Sequence, residues 1–377
     1  MTITKVTDAG LDRSRIVTPL IINGDMSVAQ RSTSVTGVGD GDTGYHTLDR
    51  WRFSEGGDNS TVFTMSQDTN VPTGQGFAKS LKMDVTTADG SPGSSDSMFL
   101  QQRFEGQNLQ LLKKGTSSAE KITVAFWVSS SKTGTYILEL QDSDNTRNCS
   151  QSYTISSADT WEKKVVVFPA DTTGAIDNDN ANSFEVNWWL LAGTDFTSGT
   201  LATSFASRTN ANRAVGQVNV GDNTSNNFYM TGCQMEIGEF DTNTIPDFPF
   251  ESFENNLLKC QRYFETFPSN DGDGVIGFGY GSGSDTARTM FTFKVTKRAA
   301  PTMSDSLSSS RQYRINFING SGTASNQNST STPSFGTIST LNSGYMNLAG
   351  FSSIGGGLFG FLIYNNNTTL LSADAEL

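Results

Sequence analysis

From Leu20 to about Phe250, apolar side chains recur at every second position in one short run after another. That period belongs to a strand with one face buried and one face turned outward. In Ile122-Thr-Val-Ala-Phe-Trp-Val128, the residues Ile122, Val124, Phe126 and Val128 share a face. The turn signal Lys132-Thr-Gly134 separates that run from Tyr136-Ile-Leu-Glu-Leu140, which alternates again. Lys163 to Phe168 is β-branched, and in Phe184-Glu-Val-Asn-Trp-Trp-Leu190 the residues Phe184, Val186, Trp188 and Leu190 fall together. Further strands are expected at 50–54, 61–66, 78–86, 97–103, 215–220 and 227–237, with a short helix over Glu105–Lys113. Many short antiparallel strands joined by polar turns predict an all-β chain whose main body is a jelly-roll β-sandwich.

The period changes at Glu251. Phe253, Leu257, Cys260 and Phe264, extended by Leu258, recur at helical spacing, so a connector helix is expected over 251–265. Strand patterns return at Val275–Tyr280, Thr289–Thr296, Gln312–Ile318, Tyr345–Leu348, Leu358–Tyr364 and Thr369–Ala373. They predict a second, smaller β-sandwich, and residues 302–340, rich in Ser, Thr, Asn and Gly, are expected to supply its long surface loops. The organisation is thus an N-terminal docking arm (1–19), a jelly roll (20–250), a connector helix (251–265) and a C-terminal β-domain (266–377).

Charge narrows the partners. With 26 basic and 38 acidic residues the chain carries −12, which disfavours contact with phosphate backbones and hence nucleic acid. From Thr266 onward six acids face six bases, so the whole excess lies in residues 1–265. Cys149, Cys233 and Cys260 are sparse and lack a CxxC pair, which predicts free thiols in a reducing compartment. No apolar run reaches the ~20 residues of a membrane span, and the first residues lack a signal-peptide core, so a soluble protein without membrane insertion is expected.

Two strings bracket the sandwich. Asn23-Gly-Asp-Met-Ser-Val-Ala-Gln-Arg31, answered by Asp49-Arg-Trp51, resembles the opening of a carbohydrate-module-like jelly roll common in tailed-phage tail fibres and appendages. Tyr153-Thr-Ile-Ser156 with Asp159-Thr-Trp161 is similar to that family's middle strand and turn. Gly232-Cys-Gln-Met-Glu-Ile-Gly238 resembles its closing strand, with Met235 where the family commonly has Leu. Cys260-Gln-Arg-Tyr-Phe264 resembles the helix that follows, and Lys297-Arg-Ala-Ala-Pro301 with Asp374-Ala-Glu-Leu377 resembles the C-terminal β-domain. The resemblance spans roughly residues 20–377. It implies a virion tail protein assembled in the host cytoplasm, homotrimeric, joined to other tail proteins through its arm and contacting a host surface glycan or protein. It implies no catalytic residue. Read on their own chemistry, Asn23-Gly24 is a turn dipeptide in which Gly24 can take positive φ, and Arg31, Asp49 and Arg50 are candidates for an ion network at the domain ends.

Catalytic chemistry is thin. His46 is the single histidine, and no nucleophile elbow, P-loop or dinucleotide fingerprint is present. Carboxylate pairs that a glycosidase would need are Asp142 with Asp144, Asp177 with Asp179, Asp40 with Asp42 and Asp271 with Asp273, all in turn-like clusters where Asp usually caps its own backbone. The same clusters, Asp177–Asn180 first, are where calcium would bind if any metal did, but no metal site or cofactor is predicted. Trp127 and Trp189 are expected on the outward faces of their strands, Trp189 beside Glu185 and Asn187. There they either stack sugar rings or are covered by a neighbouring subunit or domain. Coverage is preferred, because a trimeric appendage needs an interface. The expected function is therefore a non-catalytic phage tail fibre or appendage protein. A capsid decoration or cement protein and a polysaccharide-degrading tail spike are the alternatives.

Overall fold

The alternation resolves into antiparallel sheets. The computed structural model describes residues 19–267, 275–305, 313–318, 324–329, 334–335, 340–351, 354, 359–364 and 371–377. The expected arm, Pro19 apart, lies outside them, as do Asp271 and Asp273. The sandwich strands are β1 (Ser34–Gly39), β2 (Gly44–Tyr45), β3 (Arg52–Gly56), β4 (Val62–Asp68), β5 (Ser80–Thr87) and β6 (Ser97–Glu105). They continue as β7 (Ile122–Ser130), β8 (Gly134–Asp142), β9 (Arg147–Ile155), β10 (Glu162–Phe168), β11 (Asn182–Ala192), β12 (Ala206–Ser207) and β13 (Asn227–Ile237). The first sheet runs β1-β4-β5-β13-β7-β10 and the second β12-β9-β8-β11-β6-β3-β2. Ile122, Val124, Phe126 and Val128 from one sheet and Phe184, Val186, Trp188 and Leu190 from the other meet in a single core. Trp188 is its centre, 5.3 Å from Trp51 and 5.9 Å edge-on to Phe126 between ring centroids. The chain is all-β, with a jelly-roll sandwich as its body.

Two expected elements differ. Residues 215–220 form no strand, because Gln217 turns to hydrogen-bond the backbone of Ile137 instead of pairing in a sheet. The helix over Glu105–Lys113 is two 3₁₀ turns, Gly106–Asn108 and Gln110–Leu112.

A short helix, α1 (Thr194–Thr197), follows β11, and the connector helix is α2 (Phe253–Gln261), capped by the Ser252 hydroxyl. The apolar stripe does not define its buried face. Phe253 and Leu258 are exposed, while Asn256 and Cys260 are buried and Phe264 already belongs to the next strand. Hydrogen bonding decides the matter. Asn256 accepts from the Asn23 backbone N–H (3.1 Å) and donates to Asp25 Oδ1 (3.0 Å) and Ser27 Oγ (2.9 Å).

Beyond it lie β14 (Phe264–Phe267), β15 (Val275–Gly281), β16 (Ala287–Thr292), β17 (Thr302–Asp305), β18 (Tyr313–Ile318) and β19 (Ala324–Asn328). Then come β20 (Ser334–Phe335), β21 (Ser343–Leu348), β22 (Phe359–Tyr364) and β23 (Leu371–Asp374). Sheets β14-β23-β17 and β19-β18-β22-β15-β16-β21-β20 enclose a second, smaller core around Phe267, Phe291, Tyr313, Met346 and Leu371. The interval 302–340 is therefore not simply loops, since β17, β19 and β20 lie in it beside the expected β18. Ser, Thr and Asn there pair through their backbones, at sheet edges in β17, β19 and β20, with little apolar pattern to mark them.

The bracketing strings form one junction. Asn23, not Gly24, takes the left-handed backbone (φ 58°), and its amide clamps Val28 and the Asp49 carbonyl. Gly24 is needed for closeness: a Cβ there would lie 2.1 Å from the Cys233 carbonyl oxygen, whose own N–H donates to Gly24 O. The guanidinium of Arg31 lies 3.5 Å over Phe264, and that of Arg50 3.6 Å over Tyr263. Arg50 pairs with Glu376, and Arg31 reaches Asp49 (3.6 Å), Asp374 (3.1 Å) and Glu376 (3.4 Å). Burial pushes the Asp49 carboxyl up to about 6, against the pull of Arg31 and Gln30. Glu105 receives Arg262 at 2.8 and 2.6 Å and the Tyr263 hydroxyl at 2.5 Å.

Candidate functional site

Each sheet has an outer face, and the two are built differently. On the second, alternation puts Trp188 in the core and Trp189 outside it, as the strand period requires. Trp189 nonetheless has no exposed surface. The chain itself returns over it after β11: Phe196 of α1 and Arg213 pack on the indole at 5.5 and 5.0 Å, beside Phe99 at 5.0 Å. Its Nε1 donates to Glu139 Oε2 (3.1 Å), and Glu139 also takes two hydrogen bonds from Arg213, at 2.7 and 2.9 Å.

Asn187 and Glu185 join this network and are buried with it. Gln101 donates to Glu185 (2.8 Å) and Asn187 (2.9 Å), Asn187 donates to Glu139 (3.2 Å), and Asn182 donates to Glu185 (2.6 Å). Trp189 thus faces outward and is covered, as preferred, but not by a neighbouring subunit, and Glu185 and Asn187 are buried with it instead of standing free to meet a ligand. The cover comes from residues 193–217 of the same chain.

The first sheet keeps part of its outer face open. Trp127, in β7, is partly exposed, with Thr231 of β13 on one side and Lys163 of edge strand β10 on the other. In the adjoining row Tyr229 lies between Lys82 and Ser129. Neighbouring strands stand about 4.8 Å apart, so these side chains form a continuous surface. Trp161, just before β10, leans edge-on to Tyr229 at 6.1 Å and donates from Nε1 to Asn70 Oδ1 (3.1 Å). Three partly exposed aromatic rings, Trp127, Tyr229 and Trp161, thus share one face.

Lys82 sits 5.6 Å from the Tyr229 ring centroid and 3.2 Å from Asp84; burial pulls its ammonium down, but Asp84 and Tyr229 outweigh that and hold it above the usual lysine value. The other end of the face is closed by the segment after β13, where Gln234 donates to Pro246 O (2.9 Å) and Phe240 N–H to Thr123 Oγ1 (3.1 Å). Sequence reasoning named Trp127 but missed Tyr229 and Trp161. Tyr229 could have been found from the alternation Phe228-Tyr229-Met230, whereas Trp161 lies off the strand period.

Three of the carboxylates considered for catalysis serve the turns. Asp142 is buried, pairs with Lys114 and accepts the Asn145 N–H (3.0 Å); Asp144 accepts the Asp177 N–H (2.9 Å), and Asp179 the Ala181 N–H (2.9 Å). His46 lies 3.8 Å from Asp42, and burial pulls its imidazole below the ordinary value despite that neighbour. All three cysteines are free and buried. A cleft of about 840 Å³ is lined by Leu20, Ile22, Leu111, Met235, Ile237 and Tyr263 among others.

No protein-family model matches the chain, and no curated protein matches it in sequence. Among solved structures, it is similar to the enzymatically active domain of tailspike protein 4 of bacteriophage CBA120, with 15% identity and a TM-score of 0.27 over 50% of this chain and 19% of that one. It is also similar to the family 11 carbohydrate-binding module of the Clostridium thermocellum cellulase Lic26A-Cel5E (11% identity, TM-score 0.27, 54% of this chain and 95% of that one). A third is the C-terminal family 22 carbohydrate-binding module of Clostridium thermocellum Xyn10B (11% identity, TM-score 0.27, 52% and 88%). At such scores these likenesses assign nothing to this chain, whose fold rests on its own strand pairing.

Proposed function

We propose that this protein is a non-catalytic appendage of a tailed-phage virion, and that the outer face of its first sheet binds glycan on the host surface. One observation carries the binding part: Trp127, Tyr229 and Trp161 remain partly exposed together, beside polar groups, on one sheet face. Aromatic faces of this kind stack on the C–H side of a sugar ring, and neighbouring polar groups take its hydroxyls. The virion part is supported by the resemblance of the strings spanning residues 20–377, of which the opening, exit-helix and C-terminal ones meet physically at one junction. That resemblance also supports a homotrimer, docking through residues 1–19 and assembly in the host cytoplasm. The non-catalytic reading is supported by the carboxylates of β8: Glu139 has no exposed side-chain surface, and Asp142 is held by Lys114.

The test pairs a binding assay with location. Trp127→Ala and Trp161→Ala are expected to abolish retention on host-surface polysaccharide while both variants stay folded. The protein is expected in purified particles, at the tail. Unchanged retention by both variants overturns the binding surface, labelling on the head shell instead assigns a decoration protein, and release of reducing ends from the polysaccharide overturns the non-catalytic reading.

A further inference from the structure

The aromatic face carries a positive charge that no carboxylate neutralises. The chain holds 38 acidic against 26 basic residues, and its lysines are mostly neutralised in place. Lys82 pairs with Asp84, Lys114 with Asp142 and Asp171, Lys121 with Glu239, Lys132 with Asp222 and Lys164 with Glu162. Lys163 differs. Among the described residues it has no carboxylate partner, it is partly exposed on the outward side of β10, and the residue directly across from it is Trp127. Glu162, its neighbour in sequence, is already engaged by Lys164 and by the Ser156 and Ser157 N–H groups. An unpaired ammonium beside a stacking ring is complementary to a sugar polymer bearing negative charge.

Resting on the glycan-binding reading above, we infer that the Trp127 face is selective for acidic polysaccharide, with a sugar ring stacked on Trp127 and the carboxylate or phosphate of that polymer received by Lys163. The surrounding acidic surface then acts as a filter. The net charge of −12 disfavours a polyanion over the surface at large, while the ring and the ammonium together favour it here, and because the site is open to solvent the attraction is weakened by salt.

The test uses the full chain and four probes: polygalacturonate, its carboxyl-reduced neutral form, a teichoic acid for the phosphate arm, and a neutral glucan, each at low and at high salt. Polygalacturonate or teichoic acid, according to which anion is the natural one, is expected to bind at least about tenfold more tightly than the neutral polymers, with the gap closing at high salt. Lys163→Ala is expected to remove that preference and Lys163→Arg to retain it, both with unchanged melting temperature because the side chain stands on the exposed side of an edge strand. Equal binding of charged and neutral polymers, with Lys163→Ala without effect, overturns the charge selectivity while leaving the aromatic platform standing. Binding that survives Trp127→Ala, or no binding to any probe, overturns the platform and the selectivity together.

Discussion

Arg50 and Glu376 form an ion pair across 326 residues of sequence, with 1% and 5% of their side-chain surfaces exposed. The guanidinium also donates to the Arg103 carbonyl (2.5 Å) and lies on the Tyr263 ring. An opening string of the sandwich, the exit string after α2 and the segment after β23 therefore converge on one cation. Residues that read in sequence as separate markers are a single lock between the sandwich and the smaller β-unit.

Glu376→Ala leaves that cation buried and short of its counter-charge. The expected loss is about 3–5 kcal/mol, read from urea denaturation. Combining Arg50→Met with Glu376→Leu is expected to cost clearly less than the sum of the single changes, because neither charge is then stranded. Strict additivity would show that the two residues act independently.

Glu105 makes the junction acid-sensitive. Burial pushes its carboxyl up, but hydrogen bonds from Arg262, Tyr263 and Gln107 outweigh this and leave it below the ordinary 4.5. A depressed carboxyl contributes stability that is complete above the unfolded-state value and is lost as pH falls through the folded one. Melting temperature is therefore expected to drop below pH 4.5, and Glu105→Gln is expected to flatten that drop while lowering stability at neutral pH. Asp49 has the opposite sign: raised to about 6, it favours the folded state more as pH falls from 6 toward its ordinary 3.8.

Gly24→Ala tests close approach without involving backbone handedness. The added methyl meets the Cys233 carbonyl, a backbone atom that cannot swing away, so a loss of about 1–3 kcal/mol is expected in thermal or urea melts. A neutral result would mean that the opening loop can withdraw from β13.

The two tryptophans should separate cleanly. Trp189→Ala removes a fully buried ring and strands part of the Glu139 network, with an expected cost of about 3–5 kcal/mol. Trp127→Ala is expected to cost within about 1 kcal/mol and to act on glycan retention instead. Equal destabilisation by both would mean that Trp127 is also a core residue.

These contrasts show what the sequence made legible. Period two located most of the sandwich strands and assigned Trp127 and Trp189 correctly to outward faces. It could not show that one of them is roofed, because the roof comes from residues 193–217, an irregular stretch whose Phe196 and Arg213 carry no periodic signal. The docking of α2 was hidden for a related reason. Apolar spacing pointed to Phe253 and Leu258, while the contact that fixes the helix is made by Asn256, a polar residue that no hydrophobic pattern weighs. The ion network among Arg31, Asp49 and Arg50 was anticipated, but its partners at 374 and 376 were not, since distance along the chain conceals them.

The roof over Trp189 has a consequence for how such a molecule can change through time. Glu139, Asn187 and Trp189 are bound to one another, so a substitution at any of them must be answered by others before the chain folds again. Lys163 and Trp127 carry no such debt to their neighbours. Change on that face has somewhere to go: drift along β7, β10 and β13, one outward residue at a time, with the sheet behind it left undisturbed.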